Sequence, residues 1–448
     1  MPTPSPQDLI EQVRLQAERS GAAEADVFVE SATVLEVRTR QREVEVVQQS
    51  APRGLGLRVF RDRRMGFAYT TDLRKVVLDE LVNRTVALSN QATPHDENRL
   101  ATQLFSPQQG LETEDAAIAQ VSIEDLKAMA TTAEDGAFGQ DQRIQSTRDA
   151  RAGVATVEVH LGNTVNPYQT YRSTTAWLSV TAIATQGGQR REGEYIDRKR
   201  ILRDLDTPEH VGRRAAERAV AKLGAAARPT MKGVVVFDAE ASGAFLAGLF
   251  GAFDAANVLE KRSYLASRQG QAIASPLLTI IDDGLMRRGL GTTPFDGDGV
   301  GCRRTVVVDR GVLTSYLHTA ITAWRMNVPP TGNAVRAYDA LPTVGPTNFY
   351  IDQGRTDPDE MVQGVPRGLL VTGTAGFGFD LVSGEYSQQV EGVWILNGQP
   401  AGAAEGITVA GRLDDMLLGI DAVGNHLEFH DRIASPALRF RELTIAGL

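Results

Sequence analysis

Apolar residues recur at helical spacing in the first part of the chain. Leu9, Ile10, Val13 and Ala17 share a face of a helix opened by Ser5-Pro6 and closed by Gly21. Leu73, Val76, Val77, Leu81 and Val82 do the same over 72–90. A third helix is predicted near 122–133, and Thr207-Pro208-Glu209 caps a fourth that reaches about residue 224. Between these helices the period falls to two. Strands are predicted at 25–30, 34–40 and 43–48, the last two alternating β-branched with charged residues as a sheet with one wet face does. Residues 54–60 and 63–69 read as a hairpin, and alternation returns at 155–161 and 176–184. Residues 93–115 show no period and read as a surface loop.

After residues 225–230 the texture changes. Short strands are predicted at 233–237, 277–282, 305–309, 312–317, 369–371 and 388–396. Asp309-Arg310-Gly311 and Asn397-Gly398 have hairpin-turn chemistry. Helices are expected only at 239–256, 357–362 and 412–420. A chain of 448 residues exceeds the roughly 250–300 that one core serves, so two domains follow. The expectation is an α+β protein: an N-terminal domain, 1–226, with long helices on a sheet, and a mostly antiparallel β domain, 227–448.

The formal net charge of −9 gives no basic face for nucleic acid. The densest cationic run, Arg190, Arg191, Arg198, Lys199 and Arg200, reads as a solvated hairpin. One cysteine, Cys302, permits no internal disulfide and suits a reducing cytoplasm. The N-terminal residues lack the basic and apolar regions of a signal peptide, and no apolar run is long enough to span a membrane.

His426, Glu428 and His430 are spaced to share one side of a strand, as a two-histidine, one-carboxylate metal site requires; the plainer reading is a polar strand face. Cys302, followed by Arg303 and Arg304, has no histidine near it in sequence and reads as a buried thiol. The glycine clusters 297–301 and 373–378 lack the strand-to-helix context of phosphate loops and read as turns. Asp282, Asp283, Asp296 and Asp298 read as solvated turn carboxylates, with a divalent-cation site as the alternative. Residue patterns alone stop at a two-domain protein without a persuasive catalytic constellation.

A series of segments in order along nearly the whole chain resembles the TldD/PmbA family. They include Gly54-Leu55-Gly56-Leu57-Arg58-Val59, Thr279-Ile280-Ile281-Asp282-Asp283, Phe295-Asp296-Gly297-Asp298-Gly299-Val300, Thr331-Gly332-Asn333-Ala334 and Gly384-Glu385-Tyr386-Ser387. In the TldD branch a helix carrying His-Glu-x-x-x-His holds zinc. Here the matching positions are Ala247, Gly248 and Ala252, none able to bind a metal or move a proton. The resemblance therefore implies the TldE/PmbA branch: a cytoplasmic, non-catalytic subunit with no cofactor of its own and a C-terminal metalloprotease-like domain without the zinc motif. It further implies a heterodimer with a TldD-type subunit that carries zinc, an extended unfolded peptide as substrate, and a possible homodimer when alone. Leader-peptide trimming and antitoxin turnover are the family roles it suggests. Thr331, Gly332 and Asn333 are candidates for lining a peptide chamber. The alternatives are a stand-alone peptide-binding or regulatory protein, and a hydrolase with a metal at His426, Glu428 and His430.

Overall fold

The computed structural model describes residues 5–102, 109–166, 168–226 and 228–447; Ala227, where the second predicted domain opens, and 103–108 of the predicted loop lie outside them. In chain order the first half forms α1 (Pro6–Arg19), β1 (Glu24–Arg40), β2 (Glu43–Ser50), β3 (Arg53–Arg61), β4 (Arg64–Thr70), α2 (Lys75–Gln91), α3 (Ile123–Gln140), β5 (Ile144–Asn163), β6 (Gln169–Gln186), β7 (Gln189–Lys199) and α4 (Pro208–Ala221). The seven strands make one sheet in the order β4-β3-β1-β5-β6-β7, with β2 beside the far end of β1.

Helix starts follow the sequence. The Ser5 hydroxyl accepts from the Asp8 amide, Ser122 and Asp125 form a capping box, and Thr207 caps α4. Helices α1 and α2 bury their apolar faces on β1 and β3, while α3 and α4 cover β5 and β6. The two strands predicted at 25–30 and 34–40 are one 17-residue strand. Its neighbour on one side changes from β3, up to Ser31, to β2, from Val34, and the apolar alternation breaks at that change of partner. Asp62 and Arg63, both at positive φ (49° and 61°), turn β3 into β4. Helices α3 and α4 cross closely at glycine: a Cβ on Gly212 would lie 1.8 Å from the Ala133 carbonyl oxygen.

The second half opens with β8 (Met231–Phe237) and α5 (Ala239–Leu249). Strand β8 lies between Arg367–Ala375 and Leu438–Ala446; Gln399–Arg412 and Glu385–Leu396 follow, and the last pairs back to Arg367–Ala375, closing a five-stranded barrel. Only the β8 pairing with Arg367–Ala375 is parallel within that ring. The ring of Phe245, on α5, packs edge-on to Phe237, Phe440 and Tyr386 in its core. A smaller five-stranded sheet is built around Ile280–Asp283, with Ile433–Ala434 at one edge. The predicted turns are present: Arg310-Gly311 and Asn397-Gly398 both have positive φ. The single helix expected over 239–256 is broken. Helix α5 ends at Leu249, a 3-10 turn spans Phe250–Ala252, and Asp254 caps a new helix at Ala255–Leu259.

The halves meet through buried charge. Arg58 on β3 pairs with Asp26 at 3.0 Å and with Asp298 of the second half at 2.8 Å. Arg336, also of the second half, reaches back to Asp26 at 2.5 Å. Burial alone raises the Asp26 carboxyl, but the two guanidinium groups outweigh it and hold its pKa below the usual range. Among the described residues no helix is long and apolar enough to cross a membrane.

Candidate functional site

A cleft of about 880 Å³ lies between the first half, at β7 and α4, and the second half, at α5 and residues 426–437. Its size is that of a small-molecule or peptide site. Helix α5 forms one wall because its faces divide. Ala241, Phe245, Leu246 and Leu249 enter the core, while Glu240, Gly243, Ala244 and Ala247 face the cleft. Asp238 caps the helix, accepting from the Ala241 amide at 2.8 Å, and burial pushes its carboxyl up to about 6. Opposite it, Arg218 pairs with Glu240 and lies 4.9 Å from the ring centre of Tyr195. Tyr195 donates to Asp206 at 2.8 Å.

The three positions that the resemblance sets against the zinc motif, Ala247, Gly248 and Ala252, do not converge. Ala247 is exposed in the cleft wall. Gly248 faces the ring of Phe379, which a Cβ would approach to 2.2 Å. Ala252 is fully buried in the 3-10 turn. Zinc does not fit these residues: no ligand atom is present, and an aromatic ring occupies the space where one side chain would start.

His426, Glu428 and His430 border the same cleft, on irregular chain rather than on the strand that their spacing suggests. Both histidines approach Glu428, at 3.7 and 3.5 Å. His430 Nδ1 is also 3.1 Å from Asp197. Burial alone would lower the His430 pKa, but hydrogen bonds to Asp197 and Glu428 outweigh it and raise it to about 9. Glu428 is held down at about 2, chiefly by that hydrogen bond. His430 thus turns both ring nitrogens toward carboxylates, Nδ1 toward Asp197 and Nε2 toward Glu428. Among the described residues no group of three or more His, Cys, Asp or Glu is arranged to hold a metal.

A second cavity, of about 350 Å³, shares Arg198, Pro346, Asp431 and Arg432 with the cleft. Gly332 and Asn333 line it, as does Cys302. Thr331 is turned into the structure, its hydroxyl accepting from the His318 amide at 2.7 Å. Burial pushes the Cys302 thiol well above its usual range, which removes it as a nucleophile.

The acidic stretch corrects its solvated reading. Asp282, Asp296 and Asp298 are buried. Asp282 accepts from Asn333 at 2.7 Å and from the Thr347 amide at 2.8 Å, Asp296 accepts from three backbone amides, and Asp298 holds Arg58. These contacts tie together segments distant in sequence, and they are buried because other segments cover the loops that carry them. The arginine run needs the same correction at one position: Arg200 is buried, donating to the carbonyls of Gly289 and Thr174 at 3.1 and 3.2 Å. Sequence reasoning also missed Asp238, Arg214 and Arg218, all of which line the cleft. The two arginines stand four apart on α4, a spacing that places them on one face, and that was the available signal.

Three family models match in series: PmbA/TldA metallopeptidase domain 1 over 25–89, the central domain over 117–223 and the C-terminal domain over 230–447. Metalloprotease PmbA of Escherichia coli O157:H7 is 30% identical over 434 residues, 94% of this chain and 92% of the relative. A PmbA homolog of Haemophilus influenzae is 27% identical, over 96% of this chain and 94% of its own. The crystal structure of TldE from Thermococcus kodakarensis shares the fold, with a TM-score of 0.86 at 19% identity, over 98% of this chain and all of the other.

Proposed function

Because the chain belongs to the PmbA/TldD metallopeptidase family, on its PmbA/TldE side, we propose that it is the non-catalytic subunit of a two-subunit peptidase whose zinc lies in a TldD-type partner. The observation that carries this reading is the cleft wall of α5. Ala247 faces the cleft, Phe379 lies against Gly248, and Ala252 is buried away from it. A wall with no zinc-binding side chain at these three positions offers a peptide shape and charge in place of a metal centre. In this role the chain binds an unfolded peptide and presents it to the partner. Extended peptides suit such a site, because backbone hydrogen bonding tolerates varied side chains. Leader-peptide trimming and antitoxin turnover, in the cytoplasm, are the processes in which such cleavage serves. The alternative hydrolase, with a metal at His426, Glu428 and His430, is disfavoured because both ring nitrogens of His430 already face carboxylates, Asp197 and Glu428.

The test is co-expression with a TldD-type protein. The reading expects a stable complex, zinc bound only through the partner, and cleavage of an unfolded peptide by the complex but by neither chain alone. A chain that stays apart from such a partner, or that holds one metal per molecule by itself, overturns it.

A further inference from the structure

The floor of the 880 Å³ cleft is the outer face of the barrel. Within β8, Val235 and Phe237 point into the barrel core, so Val236 between them points out. Leu370 points out in the same way between Leu369 and Val371, and strand pairing sets it directly beside Val236. Val362, on the short helix Pro358–Gln363, and Ala437 complete an aliphatic patch with them. All four line the cleft, and Leu370 and Val362 are only half-buried. The facing wall leaves room above the patch, because at Gly243, Ala244 and Ala247 no side chain of α5 is larger than a methyl group. The charged groups around the patch are already matched. Arg198 pairs with Asp431 at 2.7 Å, Arg214 with Glu217 at 2.9 Å and Arg218 with Glu240, while His430 lies between Asp197 and Glu428. Matched pairs call for no counter-ion, so the choice of occupant falls to the aliphatic floor, which gains by being covered.

We propose that this patch is a specificity pocket for one aliphatic side chain of an extended peptide lying in the cleft. A helix, about 10–12 Å across, would fill a cleft of this volume within about two turns. An extended chain is thinner, and it directs every second side chain at the floor. A leucine-like side chain then rests on Leu370 and Val362, with Ala244 and Ala247 beside it. An amide or carboxylate in its place would be turned toward apolar surface without a partner, and such peptides are bound less well. This selectivity rests on the proposed peptide-binding role but not on the identity of the partner subunit.

Isothermal titration of the intact chain with three capped pentaglycine peptides tests the assignment, the central residue being leucine, alanine or asparagine. Asparagine is close to leucine in shape but polar. The leucine peptide should bind about tenfold or more tightly than the asparagine peptide, with alanine between them. Leu370→Asn, at a half-buried position on the outer face of the barrel, should bring the leucine and asparagine peptides within about threefold of each other. Ala247→Trp, at an exposed position on α5, fills the cleft from the facing wall and should weaken the leucine peptide about tenfold, and it serves if the first variant misfolds. Equal affinity for leucine and asparagine overturns the selectivity and leaves the peptide-binding role intact. No binding of any peptide at millimolar concentration, or a leucine preference unaltered in both variants, overturns the proposal as well. Failure to associate with a TldD-type partner sinks the subunit role and leaves this pocket standing.

Discussion

At the scale of single residues, His430 is the group whose charge the fold controls most visibly. Its folded pKa, about 9, lies above the ordinary 6.5, so its contribution is fully present below pH 6.5 and is lost as the pH rises through 9. His430→Gln should lose about 1–2 kcal/mol of stability at pH 6, the worth of hydrogen bonds to a charged partner, and little at pH 9.5. Urea unfolding at the two pH values measures this; an equal loss at both would show that the ring is not a cation. Gly248 makes a different point. Gly248→Glu meets the Phe379 ring and should destabilise by about 1–3 kcal/mol through overpacking. Adding Ala247→His and Ala252→His should recover no stoichiometric zinc by metal analysis. Stoichiometric zinc in that triple variant would mean that the Phe379 ring gives way easily. Asp298 shows how far a carboxylate's role depends on what covers it. Asp298→Ala leaves Arg58 short of a buried partner, and equilibrium unfolding should record a loss of about 3–5 kcal/mol.

At the scale of elements, the helices were the most legible part of the sequence, because a cap and a 3.6-residue period declare each of them locally. Ser5-Pro6 and Thr207-Pro208 start α1 and α4 where they were read. The turns at Arg310-Gly311 and Asn397-Gly398 were legible for the same reason. What failed depended on distant chain. Strand β1 looked like two strands because its partner changes midway, and 239–256 looked like one helix because its apolar content does not mark where Asp254 starts a new one. The site was legible only in part. The small residues at 247, 248 and 252 were visible in the sequence, whereas the cleft itself, with Asp238, Arg214 and Arg218, arises from the meeting of two distant segments. The α3–α4 crossing offers a test at this scale. Alanine in place of glycine ordinarily favours a helix by about 1 kcal/mol. At Gly212 the added methyl meets the Ala133 carbonyl, so Gly212→Ala should instead destabilise by about 1–3 kcal/mol, read as a lower melting temperature. A rise would show that the two helices separate without penalty.

At the scale of the whole molecule, the cleft and the smaller cavity both lie where the two halves face each other, and the arginine–aspartate cluster of Asp26, Arg58, Asp298 and Arg336 ties those halves together. Any shift of one half against the other reshapes both openings at once. The cluster also bears on how the chain reaches its native state. Each half brings one arginine and one aspartate, and Asp26 and Arg58 already pair within the first half, but neither half alone supplies the full set of contacts. A half folded by itself must hold an incompletely matched charge at a surface that is only later covered. Closing that interface should therefore couple the halves into one cooperative melting transition, which calorimetry reads; two separate transitions would show that each half folds without the other.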